Sequence, residues 1–149
     1  WTEQTGLATS RDLQHWTRYE GNPVLQVNRQ SWDKWFVSDP YIVQDGDLWL
    51  NFYFGYGKLY EDGHTHAQEG LALSEDLVNW EKVEEPIIPY GAAGSIDSGH
   101  AHKASILYYQ GVLYHFYCGT CPWREGLPAN VSGEYRGICL ATSRPLPYK

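Results

Sequence analysis

Apolar residues in this chain fall in short runs broken by glycine and acidic residues, and the runs recur. Tyr41-Ile42-Val43 and Leu48-Trp49-Leu50-Asn51-Phe52-Tyr53 flank Gly46, while Ile106-Leu107-Tyr108-Tyr109 and Val112-Leu113-Tyr114-His115-Phe116-Tyr117 flank Gly111. Runs of this length, rich in β-branched and aromatic residues, predict two pairs of strands, each pair joined by a tight glycine turn. The block from Asp39 to Tyr53 aligns with Lys103 to Tyr117, the second copy carrying one extra residue before its glycine.

A second block repeats around the first. Gly6-Leu7-Ala8-Thr9-Ser10-Arg11-Asp12-Leu13-Gln14-His15-Trp16 returns as Gly70-Leu71-Ala72-Leu73-Ser74-Glu75-Asp76-Leu77-Val78-Asn79-Trp80, and a shorter copy follows as Gly137-Ile138-Cys139-Leu140-Ala141-Thr142-Ser143. The spacings are 64 residues from Gly6 to Gly70 and 67 from Gly70 to Gly137. Such a period marks a supersecondary unit that buries its apolar faces against its neighbours. Gly-Leu-Ala supplies a third strand, Asp-Leu-x-x-Trp a turn, and Trp-Thr-Arg-Tyr or Trp-Glu-Lys-Val a fourth strand. Four antiparallel strands per repeat is the wiring of a β-propeller blade. No segment holds a helical period, so the fold is expected to be all-β, with no helix beyond about two turns.

The repeats divide the chain into a blade end over residues 1–36, a blade over 37–100 and an incomplete blade over 101–149, roughly two and a half blades where closed propellers typically need four or more. The chain has no methionine, initiator included. A fragment of a longer chain, or two copies closing one ring by self-association, is therefore expected.

Composition narrows the partners. The chain has 149 residues, enough for one domain with a substantial core, and a net charge of −7 with scattered Lys and Arg. That balance argues against nucleic acid and anionic membranes, and no apolar run approaches a membrane span. Cys118, Cys121 and Cys139 are odd in number, which fits a reducing, cytoplasmic compartment better than a disulfide framework. Seven Trp and twelve Tyr are the compositional signal, because sugar C–H faces stack on such rings while phenol and indole groups bond sugar hydroxyls. Trp16 and Trp80, at equivalent repeat positions, read as structural; Trp123, in a Pro/Gly-rich loop, reads as a ligand contact.

Candidate chemistry lies just before the first strand of each blade, where propellers gather residues around the axis. Ser38-Asp39-Pro40 holds that place in one blade and His102-Lys103-Ala104 in the next, with Asp97-Ser98-Gly99-His100 upstream. Ionisable groups beside apolar strands are expensive to bury without partners. Together the Asp-Pro-x-Ile block, the Gly-Leu-Ala/Asp-Leu-x-x-Trp block and the stretch from Ser95 to Ser105 resemble the five-bladed β-propeller glycosidases, families 43 and 32 of the glycoside hydrolases and their relatives. The resemblance implies cleavage of a glycosidic bond by carboxyl groups from different blades. Asp39 then matches the aspartate of the family's Asp-Pro element and is a catalytic carboxylate. Asp97 is an orienting carboxylate, and Glu69 and Glu134, each preceding a third strand, are candidates for the general acid.

One departure stands out. The slot equivalent to Asp39 holds Lys103, and with His100, His102, Arg124 and Arg136 it forms a basic set suited to a carboxylate on an acidic sugar or to inorganic phosphate. A glycoside phosphorylase is thus an alternative to a hydrolase, and a non-catalytic carbohydrate-binding or assembly module is a second. His64-x-His66 and His100-x-His102 supply two imidazoles each, short of the three protein ligands zinc usually takes, so no metal site is assigned. No cofactor is required by this chemistry; calcium held by carboxylates is the one ion the pattern leaves open.

Overall fold

The computed structural model describes residues 1–128 and 133–144. Among these the chain forms nine strands and no helix, so no helix is long and apolar enough to cross a membrane. In chain order the strands are β1 (Ala8–Thr9), β2 (Thr17–Arg18), β3 (Phe36–Asp45), β4 (Leu48–Tyr56), β5 (Gln68–Ser74), β6 (Glu81–Lys82), β7 (His100–Tyr109), β8 (Val112–Pro122) and β9 (Glu134–Thr142). They pair antiparallel in three sheets, β1-β2, β3-β4-β5-β6 and β7-β8-β9. The middle sheet is a full four-stranded blade; the others hold the third and fourth strands of one blade and the first three of another.

Local chemistry explains the wiring. The β3-β4 turn has Gly46 at φ +61°, the first central position that a type II′ hairpin reserves for glycine. The β7-β8 turn has Gln110 and Gly111 both at positive φ, the type I′ pattern. The turn after β5 is built from its own side chains: Ser74 Oγ accepts from the Asp76 and Leu77 N–H groups, and Asp76 Oδ1 accepts from those of Val78 and Asn79. Ser10 and Asp12 make the same four bonds after β1. Leu13 and Leu77, at φ +60° and +65°, sit at the same point of both turns. The recurring Ser-x-Asp-Leu is therefore a turn that caps itself, with side-chain oxygens taking backbone donors.

The core lies beside the middle blade, where Leu25, Trp32, Val37, Tyr53 and Ala72 are buried together and Trp80 packs on them. Trp16 does not share that environment. It is 57% exposed, because its two-stranded sheet has no inner strands to receive the ring, so equivalence in the repeat did not carry equivalence in packing. Asp33, also buried, receives Lys82 Nζ at 2.5 Å and the Tyr53 hydroxyl at 3.3 Å, which ties β6 and β4 to the loop before β3. Strand β7 lies across β3, β4 and β5, and this seam joins the second blade to the third.

Gly70 shows how tight the repeat is. A Cβ there would stand 2.5 Å from the Tyr53 ring, and that ring is fully buried. Gly70→Ala is expected to lower stability by about 1–3 kcal/mol through overpacking. Urea denaturation measures it, and Gly46→Asn, at an open turn position, should lose far less.

Candidate functional site

Asp39 and Lys103 reach one cavity by the same route. The register of β3 on β4 slips between Ser38 and Tyr41, and that of β7 on β8 slips between His102 and Ser105. In each bulge one non-glycine residue takes a left-handed conformation, Asp39 at φ +48° and Lys103 at φ +66°. Such a residue costs about 1–2 kcal/mol, which the paired strands on either side must hold in place. The two side chains line an open cavity of about 420 Å³ together with His100, His102 and Arg136. Phe36, Phe54 and Tyr56 supply its aromatic wall, and Glu3 closes one side, held by the Ser38 hydroxyl at 2.8 Å.

The histidines are set by the seam. Ala67 N–H donates to His100 Nδ1 at 3.0 Å, so the His100 ring proton sits on Nε2. Burial pushes the His100 pKa down. Burial first, then His100, Lys103 and Arg136, push His102 down to about 4. Both rings are neutral donors and acceptors near pH 7. His102 rests edge-on against Phe54, with ring centroids 5.7 Å apart.

Glu69 lies behind this cavity rather than on it. It is 0% exposed, neither carboxyl oxygen has a hydrogen-bond partner, and His115 Nε2 stands 3.9 Å from Oε2. Burial, and then the negative charge of Asp39, push Glu69 up to about 9, while burial pushes His115 down to about 4. The pair is thus uncharged at neutral pH, a protonated carboxyl facing a neutral imidazole. His115 was not singled out from the sequence. Its signal was there: His115 and Asn51 fill the same slot of the repeat, each a polar residue inside an apolar strand, and both are buried.

Asp97 is placed elsewhere. Its Oδ2 accepts from the Tyr117 hydroxyl at 2.8 Å and its Oδ1 from Ser95 Oγ at 2.6 Å, and it does not line the cavity with Asp39. Tyr117, on β8, holds the carboxylate by this hydrogen bond, a partner that spacing does not reveal. Trp123, Arg124 and Glu134 line a second cavity of about 890 Å³, whose wall His100 shares. The Trp123 indole N–H is held by the Pro128 carbonyl at 3.0 Å, and Glu134 accepts from Arg136 Nε at 2.5 Å. The expected site is therefore divided: Glu69 and Asp97 line neither cavity, and the other residues fall in two cavities that meet at His100.

His66, weighed from sequence as half of a metal pair, braces the seam instead. Its Nδ1 lies 2.6 Å from the Gly99 carbonyl oxygen, its Nε2 lies 2.8 Å from Asp62 Oδ2, and its ring stacks on Tyr90. Among the described residues no three His, Cys, Asp or Glu side chains converge as a metal-ligand set. Cys118, Cys121 and Cys139 are free thiols.

No protein-family model and no curated protein matches this chain. Solved structures do. A glycoside hydrolase is similar over 99% of this chain at 32% identity and a TM-score of 0.70. The protein BT0996, solved as a complex with RGII, is similar over 97%, also at 32% identity, with a TM-score of 0.69. The chain spans 38% and 36% of the length of those two proteins. The Bombyx mori GH32 beta-fructofuranosidase BmSUC1 shares the fold at 22% identity and a TM-score of 0.60, over 91% of this chain and 26% of that one. The chain is thus similar to part of a propeller glycoside hydrolase, in line with the resemblance its motifs carry.

The buried Glu69 has a consequence for stability. In the unfolded chain it ionises at about pH 4.3, whereas in the fold it keeps its proton to about 9, so its contribution is full at low pH and is lost as pH rises between those values. Glu69→Gln removes the ionisable group and keeps the shape. Its melting temperature is expected to exceed that of the unmodified protein at pH 8 by more than at pH 5; a gap that does not change with pH counts against the buried acid.

Proposed function

We propose that this chain carries the carboxylate centre of a glycoside hydrolase, acting on a glycosidic bond in the cavity between the second and third blades. One observation carries the reading. Asp39 is open to the cavity while Glu69, close enough to feel its charge, is buried and holds a proton to about pH 9. Two carboxyl groups whose surroundings differ in this way divide the work of glycoside cleavage: the solvated one serves as base or nucleophile, and the apolar one serves as proton donor. The 32% likeness to a glycoside hydrolase supports the same class of substrate.

In this mechanism the sugar ring lies against Phe36 and Tyr56, with its anomeric carbon facing Asp39. The carboxylate stabilises the positive charge that grows there as the glycosidic bond breaks, Glu69 delivers its proton to the leaving oxygen, and water then bonds the anomeric carbon and gives up the proton that restores the enzyme. His100, through its Nε2–H, donates to a sugar oxygen where the two cavities meet. Trp123 and Glu134 then bound the space for the leaving group. The chemistry is carried by side chains and calls for no cofactor.

A second reading, a carbohydrate-binding module without catalysis, is favoured by one fact. The Glu69 carboxyl is sealed from the cavity, and proton delivery needs it exposed on substrate binding. The outer face of the third sheet bears on assembly. Phe52 is buried and packs edge-on to His115 across the seam, whereas Ile138 and Leu140, beside its counterpart Phe116, are 74% and 45% exposed. That face fits a further blade, and a second copy of the chain is the occupant we propose, by the self-association the blade count suggests.

Aryl glycosides, offered with and without phosphate, test the proposal. Asp39→Asn is expected to lower kcat by at least about 10³-fold while sugar binding persists, because charge is lost and shape is kept. Glu69→Gln should remove the basic limb of the pH profile and should recover most on substrates with good leaving groups. Full activity in Asp39→Asn would refute the assignment, and strict dependence on phosphate would turn the reading to a phosphorylase.

A further inference from the structure

The Asp39 cavity holds an opposite charge at a matching position. Lys103 occupies in β7 the bulge place that Asp39 occupies in β3, and both side chains line the same space. The polar groups are sorted by side. Glu3 and Asp39 stand with β3; Lys103, Arg136 and the Nε2–H of His100 stand with β7 and β9. Arg136 is oriented by its Nε bond to Glu134, and Lys103 forms no ion pair among the described residues. Lys103 is exposed on a left-handed bulge beside the cavity, so its ammonium can meet an anion there without first breaking an ion pair among the described residues.

We propose that Lys103 and Arg136, with His100, form an oxyanion subsite, and that its ligand is the carboxylate of an acidic sugar whose hydroxyls bond Asp39 and Glu3. The proposal rests on reading this cavity as the sugar site. Lys103 and the Glu134-bonded Arg136 stand opposite Asp39 and Glu3, a layout that suits a monoanion that is itself an alcohol at its other edge. Inorganic phosphate offers the same oxyanion chemistry, but it is a mixture of mono- and dianion near pH 7 and has no polyol edge for Asp39 and Glu3 to bond, so those carboxylates oppose it.

NMR titration with galacturonate, glucuronate, their neutral hexose counterparts and inorganic phosphate tests this without requiring turnover. The uronates are expected to bind at least about tenfold more tightly than the hexoses, one charge-assisted bond's worth, with the gap narrowing as salt rises. Lys103→Met should erase the gap and leave hexose binding as it was. Lys103→Gly, which also relieves the left-handed backbone, should do the same, and Lys103→Arg should restore the preference. Hexoses binding as tightly as uronates would overturn the subsite alone. No binding of any sugar would overturn the sugar-site reading beneath it, and saturable phosphate binding lost in Lys103→Met without a uronate preference would overturn the acidic-sugar assignment.

Discussion

The site depends on one seam, the line where the start of the second blade's third strand meets the start of the third blade. Three bonds fasten it: Ala101 N–H to the Ala67 carbonyl at 2.9 Å, Ala67 N–H to His100 Nδ1, and His66 Nδ1 to the Gly99 carbonyl oxygen. These bonds fix the His100 tautomer, bring the β7 bulge opposite the β3 bulge, and close apolar walls around Glu69. Loosening the seam would move both members of the carboxyl pair relative to each other. It would also let water reach groups whose protonation depends on its absence.

The same seam explains why the buried polar groups are tolerated. Glu69 and His115 meet in a space that offers neither a full hydrogen bond, and both respond by giving up charge rather than forming an ion pair. A neutral pair avoids most of the desolvation cost that a buried ion pair must recover through geometry. Strongly perturbed carboxyls of this kind cluster at functional sites, which is why Glu69 enters the proposed mechanism. The strained bulges at Asp39 and Lys103 belong to the same arrangement, since each turns a side chain out of the alternating pleat and into the cavity.

Likeness to solved glycoside hydrolases and the internal repeat point the same way but at different resolution. The repeat gives the blade and its turns; the solved structures give the class of protein in which such blades occur. Neither assigns roles to Asp39, Glu69 or Lys103. The roles proposed for them rest on where the second and third blades place them, and on the contrast between an open carboxylate, a sealed carboxyl and an ammonium with no ion pair among the described residues.

Much of the fold was legible in the sequence because its causes are local. Strand alternation, glycine at the hairpin turns and the self-capping Ser-x-Asp-Leu turn all act within a few residues, so reading them needed no knowledge of distant contacts. Asp39 and Lys103 were also named from repeat position, and they share a cavity because equivalent bulges point to a common space; His100, His102 and Arg136, named as part of the basic set, line it with them. The rest was decided by tertiary structure. Tyr117 takes Asp97 away from that cavity, the second cavity claims Trp123, Arg124 and Glu134, and Trp16 stays exposed where Trp80 is packed. Glu69 reads as a loop-edge acid in the sequence, and only burial between two blades makes it a carboxyl that keeps its proton. Burial, and the charge a neighbouring blade brings near, depend on distances between residues remote in the chain, and no local pattern encodes them.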